Sequence, residues 1–240
     1  RVGIDKIHSY MTKFGFGQYS GVDLYEETKG VMPSRDWKMA RWRQPWYQGD
    51  TISIGIGQGY WSATPIQLAK AISILTQNGH DVTPHLLKST ASQAGVVDAP
   101  INPNMALKTK SDSYWQVARE GMWRVINGHE GTGRRAFANT PYVAAGKSGT
   151  AQVVNMKENQ VYNAKTMKVE HRDNALFVAF APYETPKAVV ALVLENAGGG
   201  STNAAPVARQ MLDAYLLPPD PQLPPAPEKP SQPSEVAPNE

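Results

Sequence analysis

Apolar residues fall at helical spacing at Ile4, Ile7, Met11 and Phe14, which predicts a first helix with Gly15 as its stop. From Gly15 to Asp50 the periodicity dissolves into Gly, Pro and aromatic residues, with one short helix predicted after a Ser34 cap. Thr64-Pro65-Ile66-Gln67 is a helix start: Thr64 caps, Pro65 takes the first helical position, and Gln67 reaches back to close a capping box. Ile66, Ala69, Ile72 and the Ile74/Leu75 pair supply its buried stripe, and Asn78-Gly79 ends it. A second amphipathic helix is predicted after Ser113, with Tyr114, Val117, Ala118, Met122, Val125 and Ile126 on its apolar face and a turn over 128–133.

Three strand candidates follow, Tyr142 to Val154, Ala175 to Ala181 and Lys187 to Glu195. The second and third are separated by Pro182-Tyr183-Glu184-Thr185-Pro186, too short for a crossover helix, so they are expected to pair antiparallel. The stretch from Asn155 to Asn174 suits a hairpin extension or loop, and a last helix is predicted from about Asn203 to Leu217 with Val207, Met211, Leu212 and Leu216 inward. Helices, an antiparallel sheet and a covering helix make an α/β (α+β) fold with the sheet packed between helices.

Composition adds a boundary. Nine of the 19 prolines lie in 218–240, where almost nothing is available for burial, so 218–240 is expected to be a disordered, partly polyproline-like tail and 1–217 the folded body. The body carries 23 basic and 17 acidic residues, a net +6 against +3 for the whole chain. That charge suits an anionic partner without demanding one. The absence of Cys excludes a disulfide scaffold, a thiolate metal site and a cysteine nucleophile. His8, His80, His85, His129 and His171 share no metal-ligand spacing, so no metal is expected. Arg35, Lys38, Arg41 and Arg43 interleave with Trp37, Trp42, Trp46 and Tyr47, but no nucleic-acid module fits around them; a solvated surface over packed aromatics is expected, and no nucleic-acid partner.

Gly146-Lys147-Ser148-Gly149-Thr150 is the stretch with chemistry in it. A phosphate-binding loop needs a Gly where Pro141 stands and a helix beginning at the Lys, whereas Ala151-Gln152-Val153-Val154 continues as a strand, so that reading fails. As an edge strand the same residues offer an ammonium on the buried side, two hydroxyls at alternate positions for a carboxylate, and a glycine that allows a close neighbour. The motif alone is equally compatible with a surface lysine beside a turn.

Its surroundings decide. The stretch Asp50-Thr51-Ile52-Ser53-Ile54-Gly55-Ile56-Gly57-Gln58-Gly59-Tyr60-Trp61, Ala144 to Val153, Ala175 to Pro182, and Val193-Leu194-Glu195-Asn196-Ala197-Gly198-Gly199-Gly200 resemble, in consistent order over 1–217, segments of class B penicillin-binding proteins. The Pro45-Trp46-Tyr47-Gln48-Gly49-Asp50 lead-in is similar to that of the elongation type, penicillin-binding protein 2. The resemblance implies a penicillin-binding, transpeptidase-like fold, here incomplete at its N-terminal side, and a periplasmic peptidoglycan D,D-transpeptidase anchored in the bacterial inner membrane. Its substrate is a stem peptide ending in D-Ala-D-Ala, β-lactams trap the same serine, a membrane glycosyltransferase is an expected partner, and no cofactor is required. Carried onto this chain, Lys147 and Thr150 are catalytic, the latter through an oxyanion contact from its N–H, while Ser148, Gly149 and Thr150 bind substrate.

The family's S-x-x-K nucleophile motif matches no Ser of the sequence, so no nucleophile is expected in this chain, which opens mid-pattern at Arg1 and reads as part of a longer protein, inactive alone. Without the first strands of the fold, Lys187 to Glu195 is expected to expose an apolar edge. Ser34-Arg35-Asp36 and Ser201-Thr202-Asn203 match the family's second motif by letter but read as helix starts. Asp50 and Gln58 read as turn formers, Arg134 and Arg135 as solvated, and His171 and Asp173 as supporting groups near the strand. Two alternatives remain: a division-type or serine β-lactamase-like sensor relative, and a non-catalytic module that keeps the cleft.

Overall fold

The computed structural model describes residues 2–92, 95–100, 103–154 and 166–218. The tail beyond Pro218 and most of the expected loop from Asn155 onwards lie outside them. The elements are α1 (Ile4–Met11), α2 (Arg35–Trp42), α3 (Gln48–Gly55), α4 (Pro65–Thr76), β1 (His80–Val82), β2 (Ser89–Ser92), β3 (Gly95–Asp98), β4 (Pro103–Met105), α5 (Ser113–Asn127), β5 (Ala145–Ala151), β6 (Asn174–Ala181), β7 (Ala188–Leu194) and α6 (Ala205–Leu216). None of the described helices is long and apolar enough to cross a membrane.

The main sheet has order β5-β6-β7 and is antiparallel throughout. Ala175, Phe177, Ala179 and Ala181 of β6 share a face with Val190 and Leu192 of β7, because directly opposed residues point the same way. That face is closed by Ala204, Ala205, Ala208 and Leu212 of the last helical segment, by Ile126 of α5 and by Phe137, whose ring stacks on Phe177 at 5.8 Å. Helix α4 packs against β6 and β7, so the sheet lies between helices. The small antiparallel pairs β1-β4 and β2-β3 were not foreseen; their strands have three or four residues, too few for a period to register.

The second core lies among α1, α3 and α4, with Ile4, Phe16, Met32, Ile54 and Ala71 buried and Trp46, Tyr60 and Trp61 packed against them. Phe16 meets Trp61 edge to face at 5.3 Å. Three polar residues occupy this part of the interior. Lys38, expected on a solvated surface, is 2% exposed and pairs with Asp50 at 2.6 Å. Its Nζ also lies 4.7 Å from the Tyr47 ring centroid and 5.5 Å from that of Tyr60. Asp50, expected in a turn, instead accepts the Tyr47 N–H at 2.8 Å as part of the cap of α3. Gln67 closes the expected capping box with Thr64 and is wholly buried; its Nε2 donates to Gln18 O at 2.7 Å and Lys29 O at 2.8 Å.

Three helical faces differ from expectation. In α5 the buried residues are Trp115 and Ile126, while Tyr114 and Val117 are 56% and 68% exposed and Ala118 is exposed too. The inward line runs 115, 119, 122, 126, with the Arg119 stem completing it, and a count of apolar letters does not register an arginine. In α4 the line runs Gln67, Ala71 and Ile74. In α6 Met211 is exposed, and the small residues Ala205 and Ala208 bring the helix axis close to the sheet.

Candidate functional site

The Lys-Ser-Gly-Thr residues lie in the middle of β5, with Lys147 opposite Val178, Ser148 opposite Phe177, Gly149 opposite Leu176 and Thr150 opposite Ala175. Extended backbone through this stretch agrees with the rejection of a phosphate loop. Among the described residues β5 pairs with no strand beyond β6, so it is an edge strand whose outer side offers backbone donors and acceptors.

Two contacts show which groups face outward. Gln58 Nε2 donates to Thr150 O at 3.3 Å, and Lys147 Nζ donates to Ser148 O at 2.7 Å. An extended residue sends its N–H and C=O to the same side, so the Thr150 N–H also points off this edge, next to the Ser148 carbonyl held by the ammonium. A positive side chain and a free-edge amide thus converge, the combination that stabilises an anion. On the face shared with Phe177, Thr132 Oγ1 lies 3.1 Å from Ser148 Oγ. Ser148, Thr132 and Thr150 form a polar strip on this face, and the Lys147 ammonium reaches its edge from the opposite face.

One expectation needs correction here. Lys147 is exposed rather than on a buried side, because its position alternates away from the Phe177 face. A Cβ on Gly149 would meet Leu176 Cβ at 3.3 Å, and it is at Gly200, in the turn that opens the last helical segment, that a Cβ would clash with Gly149 O and Leu176 O. Ser201 lies within that turn and caps no helix, whereas Ser34 does cap α2, accepting the Trp37 N–H at 3.0 Å. Asp173 is buried and its carbonyl accepts the Gly198 N–H at 2.7 Å, tying the start of β6 to the same turn; His171 is exposed. Arg134 turns to the His129 carbonyl at 3.4 Å, and Arg135 is exposed. Thr132 and the role of Gln58 were missed by sequence reasoning, since each reaches β5 through tertiary contact. A cavity of about 640 Å³ lined by Ile4, Arg35, Trp46 and Ile52 lies against α1 and α3, apart from this strip.

Near the far end of β5, Tyr142 donates to Asp213 Oδ1 at 2.6 Å; burial and this carboxylate push the phenol well above its ordinary value. The Arg209 guanidinium meets the same carboxylate at 3.2 Å within α6, and its Nη1 donates to Ala138 O at 2.9 Å, so that together with the Tyr142 bond it fastens α6 to the segment leading into β5.

The family described as "Penicillin binding protein transpeptidase domain" matches residues 1–213. Peptidoglycan D,D-transpeptidase MrdA of Haemophilus influenzae is 51% identical over 217 residues, covering 90% of this chain and 33% of that protein. The Pseudomonas aeruginosa PBP2 structure in complex with WCK 5153 shares 43% identity at a TM-score of 0.75, covering 90% of this chain and 44% of that one. Helicobacter pylori PBP2 in complex with MreC shares 30% identity at a TM-score of 0.75, covering 89% and 36%. The chain spans about a third of the length of the curated relatives it matches. With a matching family that covers nearly all of its folded body and an edge strand bearing Lys147, Ser148, Gly149 and Thr150, the chain belongs to the penicillin-binding protein transpeptidase domain family.

Proposed function

We propose that these residues form the Lys-Ser-Gly-Thr side of the cleft of a peptidoglycan D,D-transpeptidase of the elongation type, whose nucleophilic serine comes from a segment outside this chain. The observation that carries it is the convergence of the Lys147 ammonium and the Thr150 N–H on the outer edge of β5. A stem peptide ending in D-Ala-D-Ala lies along this edge as an added strand. Its terminal carboxylate is met by the Ser148 and Thr150 hydroxyls and by the charge of Lys147. The serine oxygen attacks the penultimate D-Ala carbonyl, and the negative charge that develops on the carbonyl oxygen is met by the Thr150 N–H. The C–N bond breaks, D-Ala leaves with a proton, and an acceptor amine then displaces the serine from the ester.

β-Lactams enter by the same contacts. A periplasmic site beneath an inner-membrane anchor, beside a membrane glycosyltransferase that supplies the glycan strands, is part of this reading; the family and the MrdA relatives' name as peptidoglycan D,D-transpeptidases support its cross-linking chemistry. The test is intact mass after incubation with penicillin, on the full-length parent and on the 240-residue chain. One adduct on the parent, at a serine outside these residues and slowed about a hundredfold or more by Lys147→Ala, is expected. An adduct on the chain itself, with Ser148 the first suspect, or none on the parent, overturns the reading.

A further inference from the structure

Among the described residues β5 takes its ladder bonds from β6 alone, and although α5 packs against its face, no strand holds the backbone groups of its other edge. One contact steadies the other side, and it comes from 92 residues away: Gln58 Nε2 donates to Thr150 O at 3.3 Å. The side chain that makes it stands on a built platform. Gly57 and Gly59 flank Gln58 at φ of 76° and 74°, so the chain turns on both sides of it, in a region glycine enters at little cost. The Gln58 N–H bonds Ser53 O at 2.9 Å and the Gly57 N–H bonds Ile54 O at 3.0 Å, fastening the loop to the end of α3. Helix α3 is itself anchored by Trp46 Nε1 donating to Thr51 Oγ1 at 2.8 Å and by the Asp50–Lys38 pair.

We propose that Gln58 is a positioning residue for acyl transfer: from the end of a helix anchored in the second core it holds the Thr150 carbonyl, and so sets the direction in which the Thr150 N–H points. The proposal rests on the transpeptidase reading above. Carbonyl and N–H of one extended residue project from the same side, so restraining the first restrains the second. The amide matters most when charge develops on the carbonyl oxygen under attack, so Gln58 acts on the acylation rate constant rather than on initial binding.

The test follows acylation of the full-length parent by a fluorescent penicillin, separating the limiting rate from the apparent Kd, in wild type, Gln58→Ala and Gln58→Glu. Loss of one neutral hydrogen bond predicts a limiting rate about fivefold lower in Gln58→Ala, with the apparent Kd unchanged within about twofold. Charged Gln58→Glu sets acceptor against acceptor and loses more at neutral pH. Once protonated, near an ordinary glutamate value of about 4.3, it regains an O–H donor, so its rate relative to wild type climbs as pH falls from about 7 to about 4.5. A merely misfolded variant shows no such recovery. Variants that match wild type at every pH, or a Gln58→Ala effect confined to binding, overturn the proposal. A wild type that takes up no penicillin overturns the transpeptidase reading and the role of Gln58 with it.

Discussion

The two cores of this chain are built on different terms. Around β6 the packed cluster is made of apolar side chains, with buried Asp173 just before the strand: Phe177 is fully buried against Phe137, Ile126 and Leu192, with alanines at the helix contact. Between α1, α3 and α4 the interior holds a lysine, its aspartate and a glutamine, ringed by Trp46, Tyr47 and Tyr60. An apolar core tolerates any repacking that keeps its volume, whereas a polar one requires every donor and acceptor to be matched. The second core therefore encodes geometry more strictly, and it is the one from which Gln58 reaches β5.

The comparison is tested most severely by Phe177→Ala. Removal of a fully buried aromatic ring is expected to destabilise the fold containing these residues by about 3–5 kcal/mol, read as a lowered urea midpoint at unchanged slope. In the other core Gln67→Leu keeps much of the volume but leaves Gln18 O and Lys29 O without their donor. At about 1–3 kcal/mol per orphaned carbonyl, a loss of about 2–6 kcal/mol is expected, and an unchanged midpoint would dissolve the distinction between the cores.

The smallest effect at neutral pH concerns the Lys38–Asp50 pair. The hydrogen bond it donates to Asp50 holds the Lys38 ammonium above its ordinary value against the opposing effect of burial. Burial alone would raise the Asp50 carboxyl, but the Lys38 bond and the Tyr47 N–H outweigh it and hold it lower. The aspartate's contribution is then full above an unfolded value of about 3.9 and lost as pH falls through its lowered folded value. The lysine's contribution is full below about 10.4 and lost as pH rises through its raised one. Thermal melting of wild type and of the Lys38→Met/Asp50→Leu pair is expected to differ in pH dependence at the two ends of that window and little between them. Parallel curves would show that the pair adds no pH-linked stability.

Legibility in the sequence followed the same division. The strands β6 and β7, their antiparallel pairing and the Thr64–Gln67 box could be read because Val, Phe, Leu and a Pro at the first helical position are strong local signals, whereas β5, Ala145–Ala151, holds none of those strand formers. Lys147, Ser148, Gly149 and Thr150 could be placed on one edge from alternation and family resemblance. What sequence reasoning missed is tertiary: α3 carries too many glycines and polar residues to show a period, and Lys38 looks solvated until the fold places Asp50 beside it. Trp115 lost out to Tyr114 because the arginine at 119 hid the true inward line of α5. Gln58 and Thr132 reach the strand across 92 and 16 residues, and spacing says nothing about such contacts.

The sheet's two outer edges carry opposite consequences for how the molecule behaves in a crowded solution. Along β7, Ala188–Leu194 offers a row of backbone groups with no charge in it, and among the described residues it bonds only to β6. Such an edge pairs with any like strand, its own copy included. Along β5 the ammonium of Lys147 lies on the outer carbonyls. A neutral strand that docked there would bury this charge without a partner, while a chain ending in a carboxylate brings the partner with it. One lysine thus serves colloidal stability and ligand choice at once.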